Sequence, residues 1–382
     1  MPPAGLIATL ALIGGVFASV AAHSPHGSAR AAAARHPAHA HTPAKPARAA
    51  AGGGAALSVS NAKLLGQRIM VGFSGTVAPS WVLSAARGGR IGSVILFAPN
   101  VVGRAQLKAL TGSLQHAARS SGNPPLLIAI DQEGGLVKRL PAGPPRRSPP
   151  QITATGSTSV AFDEGRATGA YLKGLGINWD LAPVLDVPTF SGAFIWRQGR
   201  AFSFSSAAVA TYGTQFALGL QHAGAAATGK HFPGVGSAAV DTDNKLDELR
   251  PSKAQRDAAL VPYRTAIPRG LDAVMLSTAG FPAYDPSGTP TALSRPLVRG
   301  VLRGQLRFRG VTITDALGTP TGHDELTAGL LAARAGADVL LYTDSAPGEL
   351  ASLESDLAHG RLSRSEADAS YRRIVALKRR VA

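Results

Sequence analysis

Asp315 closes the apolar run V-T-I-T (311–314), and Asp241 and Asp243 stand one residue apart in the polar stretch that follows K-H-F-P-G (230–234). A carboxylate at the end of a stiff strand, with an acidic pair on a glycine-rich loop, can supply a nucleophile and a proton donor. Rupture of a glycosidic bond asks for that combination. Its oxocarbenium-like transition state needs negative charge beneath the sugar and a proton on the leaving oxygen. Like charges set close together raise the pKa of one member, so Asp241 beside Asp243 would keep a proton available. By spacing alone, however, two loop aspartates are more often solvated turn formers.

The same loop permits another reading. G-V-G-S-A-A (234–239) matches a dinucleotide fingerprint and follows a strand-like run, with Asp257 at roughly the expected distance downstream. That motif works only when a helix begins within it and points its N-terminus at the pyrophosphate. Here V-D-T-D-N-K-L-D-E-L-R-P continues, polar and turn-like. The nucleotide reading fails on context.

The elements that must position these residues follow a regular pattern. Apolar runs at 69–73, 91–97, 126–130, 179–185, 224–231, 272–277, 311–314 and 337–342 read as strands. Helix-length amphipathic stretches, such as 101–120, 204–222, 252–267 and 292–306, lie between them. Continuous apolar strands separated by helices indicate a parallel sheet covered by helices. Eight of them in a segment of about 326 residues fit an α/β fold of the (β/α)8 TIM-barrel type, as a single catalytic domain. Such a barrel must carry its chemistry just after the strand C-termini. Asp131, Lys230 with His231, Ser277 with Thr278, and Asp315 fall at those positions.

Composition narrows the remaining classes. Hydrophobic residues make up 45% of the 382, which allows a sizeable core. The absence of cysteine excludes disulfides, thiolate nucleophiles and cysteine-ligated metals. The formal charge is +16, of which Arg30, Arg35, Lys45 and Arg48 supply the part before residue 57. That balance favours anionic surroundings such as a phosphate-bearing polymer, anionic cell-wall polymers among them, or an acidic membrane face. The basic residues are scattered along the chain without aromatic interleaving, which argues against nucleic acid.

The chain divides into three segments. Residues 5–22 form an uncharged apolar run ending in small residues, so 1–22 reads as a signal peptide or N-terminal anchor, with cleavage preferred. Either reading makes the remainder extracytoplasmic, secreted or membrane-tethered. Residues 23–56, rich in Ala, His, Pro and Gly, read as a disordered tether; His36, His39 and His41 lack a scaffold that would make them metal ligands. Residues 57–382 form the barrel domain, expected as a monomer.

Several segments together resemble glycoside hydrolase family 3, in its single-barrel β-N-acetylglucosaminidase-like branch. They are V-I-L-F-A-P-N (94–100), D-Q-E-G-G-L-V-K-R (131–139), A-P-V-L-D-V (182–187), R-A-F-S (200–203), K-H-F-P-G (230–234) and the region ending at Asp315. The resemblance implies a (β/α)8 barrel, no cofactor or metal, and retention through a glycosyl-enzyme intermediate. It implies that Asp315 is the nucleophile and that Asp131, Arg139, Arg200, Lys230 and His231 bind the sugar. The implied substrate is carbohydrate with a β-linked amino sugar, in cell-wall or chitin-type fragments.

The chain departs from the family at one point that matters. Members of this branch read K-H-F-P-G-H-G and then D-S-H, where an Asp–His pair supplies the acid and base. Here Val235 and Asp243 replace the two histidines, while Asp241 is kept. Three outcomes stay open: Asp243 is the proton donor, the preferred sugar has changed, or the barrel binds sugar without turnover. A second carboxylate in this loop would repel phosphate, which favours water as acceptor. Survival of the nucleophile and the sugar-binding set favours a working exo-acting β-glycosidase over a binding barrel.

Overall fold

In the computed structural model, which describes residues 59–343 and 348–382, each of the eight expected apolar runs overlaps a strand. They are β1 (Ile69–Val71), β2 (Ser93–Leu96), β3 (Leu127–Ile130), β4 (Trp179–Asp180), β5 (Ala226–Phe232), β6 (Ala273–Leu276), β7 (Val311–Thr314) and β8 (Leu340–Tyr342). Sequence neighbours from β1 to β7 pair in parallel, and β8 pairs in parallel with β1. A parallel bridge between Ile313 and Val339 joins β7 to the residue preceding β8, and the Thr314 amide donates to the Val339 carbonyl at 3.0 Å. The sheet thereby closes into a barrel.

Strand residues are buried on both faces, which explains why the runs look continuously apolar. Met70, Ile95, Ala129, Trp179, Met275 and Ile313 fill the interior, while Val71, Val94, Ile128, Val274 and Leu340 pack outward in the larger core cluster. The C-terminal helix Arg364–Val381 closes the bottom, adding Ile374, Leu377 and Val381 to the interior cluster. Helices occupy the expected intervals, among them Arg104–Arg119, Ser206–His222 and Lys253–Ala266. Ser252 caps the last of these in a capping box with Gln255, worth about 1 kcal/mol. The segment Pro296–Gln305 is a π-helix.

Two local features depart from expectation. The fourth strand is regular over only two residues where seven were expected. Pro183 lacks an amide hydrogen; the Ala182 and Pro183 carbonyls still accept from the Thr228 and Lys230 amides, and bridge pairing with β5 resumes at Val184–Lys230. A hairpin, Gln132–Gly134 with Val137–Lys138, follows β3 and was not anticipated. The segments 1–22 and 23–56 lie outside the described residues. Among the described residues, no helix is long and apolar enough to cross a membrane.

Candidate active site

A cavity of about 420 Å³ opens at the C-terminal ends of the strands. Asp131, Arg139, Arg200, Lys230, His231, Asp241, Asp243 and Asp315 all line it. These eight residues therefore meet at one place, although they span 185 positions from Asp131 to Asp315, whereas Ser277 and Thr278 are buried and do not line the cavity. The register of β5 against β6 shifts between Gly229 and Phe232. Such irregularities re-aim side chains, and here the consecutive Lys230 and His231 both reach the cavity.

The floor is a buried ionic network. Lys230 Nζ lies 2.7 Å from Asp131 Oδ1 and 2.6 Å from Glu133 Oε1. Arg200 donates from Nε to Glu133 Oε2 at 2.7 Å and from Nη2 to Oε1 at 2.9 Å. Burial favours the neutral acids, but the facing cations outweigh it and hold the Asp131 and Glu133 carboxyls below their usual range. Burial works against the Lys230 charge as well, and the two carboxylates overcome it, raising the ammonium pKa. Arg139 is the loose member, 3.6 Å from Asp131 and one-third exposed. Asp180, fully buried beneath the hairpin, is pushed well above the carboxylate range by burial, against the Gln132 amide that donates to it at 3.0 Å.

Glu133 was not singled out from the sequence, although it sits inside D-Q-E-G-G. Nor was Asp186, inside A-P-V-L-D-V. Asp186 Oδ2 lies 2.7 Å from His231 Nδ1, and Asp186 Oδ1 accepts from the Val235 amide at 2.8 Å. Burial disfavours the imidazolium, the Asp186 carboxylate favours it more, and the His231 pKa is raised. Membership in the quoted motifs was the available signal for both residues. Which cation each would face was not readable from spacing.

The network should be costly to break. Glu133→Ala leaves Lys230 and Arg200 buried and short of a partner, and is expected to destabilise the fold by about 3–5 kcal/mol. A drop in the urea midpoint at constant m checks this. Asp163→Ala, which removes an exposed pair with Arg166, serves as the control and should cost no more than about 1 kcal/mol.

Above this floor stand the other carboxylates. The Asp315 amide donates to Leu276 O at 2.8 Å, which ties the residue to the tip of β6. Its Oδ1 accepts from the Ala316 amide at 2.9 Å. Among the described residues the Asp315 carboxylate has no salt-bridge partner, unlike Asp131 and Glu133. On the opposite loop the acidic pair divides its work. Asp241 Oδ2 accepts from Gln198 Nε2 at 2.9 Å and its Oδ1 from the Asp243 amide at 3.1 Å, so it braces the loop.

Asp243 is an exposed residue at the mouth whose carboxyl lines the cavity. Enclosure by the cavity walls, then the Asp315 charge, then the Asp241 charge push its pKa up to about 7. Solvent at the mouth screens part of that effect, but all three causes act upward.

The glycines of this loop serve packing. A Cβ on Gly236 would lie 1.8 Å from the Val187 carbonyl oxygen, and no helix begins at 234–239. The hairpin tip is fitted in the same way. Gly135, at φ +65°, would bring a Cβ within 2.4 Å of Gly199 O, and the Leu136 amide donates to Gln198 O at 3.0 Å. The segment bearing Gln198 and Arg200 is thus held against the hairpin bearing Glu133.

Comparison with known proteins agrees with this geometry. The model of the glycosyl hydrolase family 3 N-terminal domain matches residues 75–377. The chain belongs to glycosyl hydrolase family 3. A relative from Arthroderma benhamiae, named an uncharacterized secreted glycosyl hydrolase, is 34% identical over 346 residues, covering 85% of this chain and 95% of that one. A β-hexosaminidase of Nitrosomonas eutropha is 37% identical over 236 residues, 59% of this chain and 65% of its own. A solved family 3 β-N-acetylglucosaminidase from Paenibacillus sp. superposes with a TM-score of 0.80 at 34% identity, over 85% of this chain and 63% of that one. The chain thus spans just under two thirds of the latter two relatives. This family 3 member is a β-glycosidase that hydrolyses O-glycosyl bonds, and the reading as a sugar-binding barrel without turnover is not favoured. Its substrate is carbohydrate.

Proposed function

We propose that this family 3 chain is an exo-acting, retaining β-N-acetylhexosaminidase that works on cell-wall or chitin-type fragments. The observation that carries the reading is the contrast among the cavity carboxylates. Asp131 and Glu133 are neutralised by buried cations, while Asp315 faces the same cavity without a salt bridge and Asp243 is raised toward neutrality.

In the first step Asp315 attacks the anomeric carbon from below, forming an ester as the bond to the leaving oxygen breaks. Asp243 delivers its proton to that oxygen. In the second step Asp243, now ionised, takes a proton from water, whose oxygen attacks the anomeric carbon and releases Asp315. Asp131, Lys230, Arg200 and His231 hold the sugar hydroxyls through charge-assisted hydrogen bonds, and Arg139 closes over them. Asp186 orients His231, and Asp241 holds the Asp243 backbone. Water is the acceptor, because carboxylates at the mouth repel phosphate.

The amino-sugar preference follows the names of the β-hexosaminidase and β-N-acetylglucosaminidase relatives. An extracytoplasmic location follows the apolar N-terminal run and the secreted relative.

Proton NMR of an aryl β-N-acetylglucosaminide digest tests the reading. The β-anomer should appear first, and the aryl β-glucoside should be the poorer substrate. An α-anomer first would overturn retention, and an equal or better rate on the glucoside would overturn the amino-sugar preference.

A further inference from the structure

A cavity larger than the catalytic one lies on the other face of the barrel, where the strands begin. It is a groove of about 620 Å³, bordered by Asp272 and Gly310 just before β6 and β7. Its apolar floor includes Ile267, Pro268 and Leu306, with Leu271 and Phe308 buried behind them, and four arginines line it: Arg307, Arg309, Arg373 and Arg380. The one lining acid, Asp272, is paired with Arg380, and Arg373 is engaged by Asp338 at 2.7 Å. Two guanidiniums are left over. Arg309 is exposed and, among the described residues, its side chain reaches only the Arg303 carbonyl, at 3.3 Å. Arg307 is exposed and has no hydrogen bond or ion pair with any described residue.

Arg307 carries a second mark. Its φ of 55° is the only positive value at a non-glycine among the described residues. Residues with a side chain enter that left-handed region at a cost, and such outliers concentrate where a side chain is needed. A glycine would make this turn more readily, yet an arginine with no protein partner occupies it.

We propose that the groove binds an alkyl phosphate, with the phosphate monoester on Arg307 and Arg309 and the hydrocarbon along Ile267, Pro268 and Leu306, apolar lining residues that keep exposed surface. Two uncommitted guanidiniums suit a head that carries up to two charges and presents several acceptor oxygens. The groove volume falls in the range of small-ligand sites, and an apolar floor with a few polar anchors is their usual make-up. Phe308 is 1% exposed, so no aromatic face is open for a nucleobase to stack on. Lipid phosphates at a membrane surface are the source of this chemistry that the groove fits. Docking there would leave the catalytic mouth, at the opposite end of the barrel, facing outward.

Calorimetric titration of the full chain tests it, using dodecyl phosphate below its micelle concentration. Inorganic phosphate, a neutral polyoxyethylene dodecyl ether and a single-stranded oligonucleotide serve as comparisons. Dodecyl phosphate should bind at least about tenfold more tightly than each of them, and Arg307→Gly and Arg309→Gln should each weaken it about tenfold or more. Arg307→Gly relieves the backbone at φ 55°, so its melting temperature should not fall, and aryl glycoside hydrolysis should be unchanged in both variants. Unchanged dodecyl phosphate affinity in Arg307→Gly would overturn the proposal. So would equal binding of the neutral ether, of inorganic phosphate or of the oligonucleotide.

Discussion

Asp315→Asn is expected to lower kcat/KM on every β-glycoside the enzyme accepts by about 10⁴- to 10⁶-fold, the scale seen when a covalent nucleophile is removed. The amide keeps the shape and can still accept from Ala316, the one bond the Asp315 side chain makes to a described residue. Stability should therefore barely change, and the loss belongs to chemistry. A residue that merely positioned substrate would raise KM and leave much of kcat. Two further measurements separate these cases. Asp315→Gly with azide and a nitrophenyl substrate should form the α-glycosyl azide, because azide attacks from the vacated face as nitrophenolate leaves. A 2-deoxy-2-fluoro sugar matched to the preferred substrate should label Asp315 in the wild type. Label on any other residue would remove Asp315 from the nucleophile's role.

The second large effect concerns the proton. Asp243→Ala should reduce kcat/KM on alkyl glycosides by about 10²- to 10⁴-fold. Nitrophenyl glycosides, whose leaving group departs as a stable anion, should lose far less in the glycosylation step. Equal losses on both substrate types would make the loop a positioning device. The pH dependence follows from the same carboxyl. Its pKa is raised to about 7 by the cavity walls, then Asp315, then Asp241. The protonated, competent form is therefore full below that value and is lost as pH rises through it. The alkaline limb of kcat/KM should fall near neutrality in the wild type and disappear in Asp243→Ala. Asp243→His, which puts back the residue type expected from the family motif, should keep a proton donor and retain activity. A wild-type alkaline limb that survives unchanged in Asp243→Ala would assign the proton to another group.

Much of the fold was legible because parallel barrel strands are buried on both faces and so stand out as apolar runs between amphipathic helices. The short β4 was over-read, since Leu181 and Val184 are as apolar as strand residues, while Pro183 lacks the hydrogen a ladder needs. The hairpin at 132–138 escaped notice because its two strands are only three and two residues long and lack strand-like alternation. At the site, the barrel rule led to Asp131, Lys230, His231 and Asp315, which are read from their place after a strand, and also to Ser277 and Thr278, which are buried away from the cavity. Glu133 and Asp186 lie beside that rule: one sits on the hairpin, the other beyond the end of β4. Their importance comes from the cations they meet.

The amino-acid sequence by itself determined the barrel and the strand tips that carry chemistry, because burial pattern and chain order are local properties that a linear string records. It also determined that the usual loop histidine is an aspartate. Only the tertiary structure decided which carboxylates are spent on cations and which remain available. It likewise decided that Asp243 is raised while Asp241 braces its loop, and that arginines up to 73 positions apart gather in one groove. Those outcomes depend on distance and enclosure between groups remote in the chain. Coulomb energy and desolvation respond to separation in space, which spacing along a sequence does not encode.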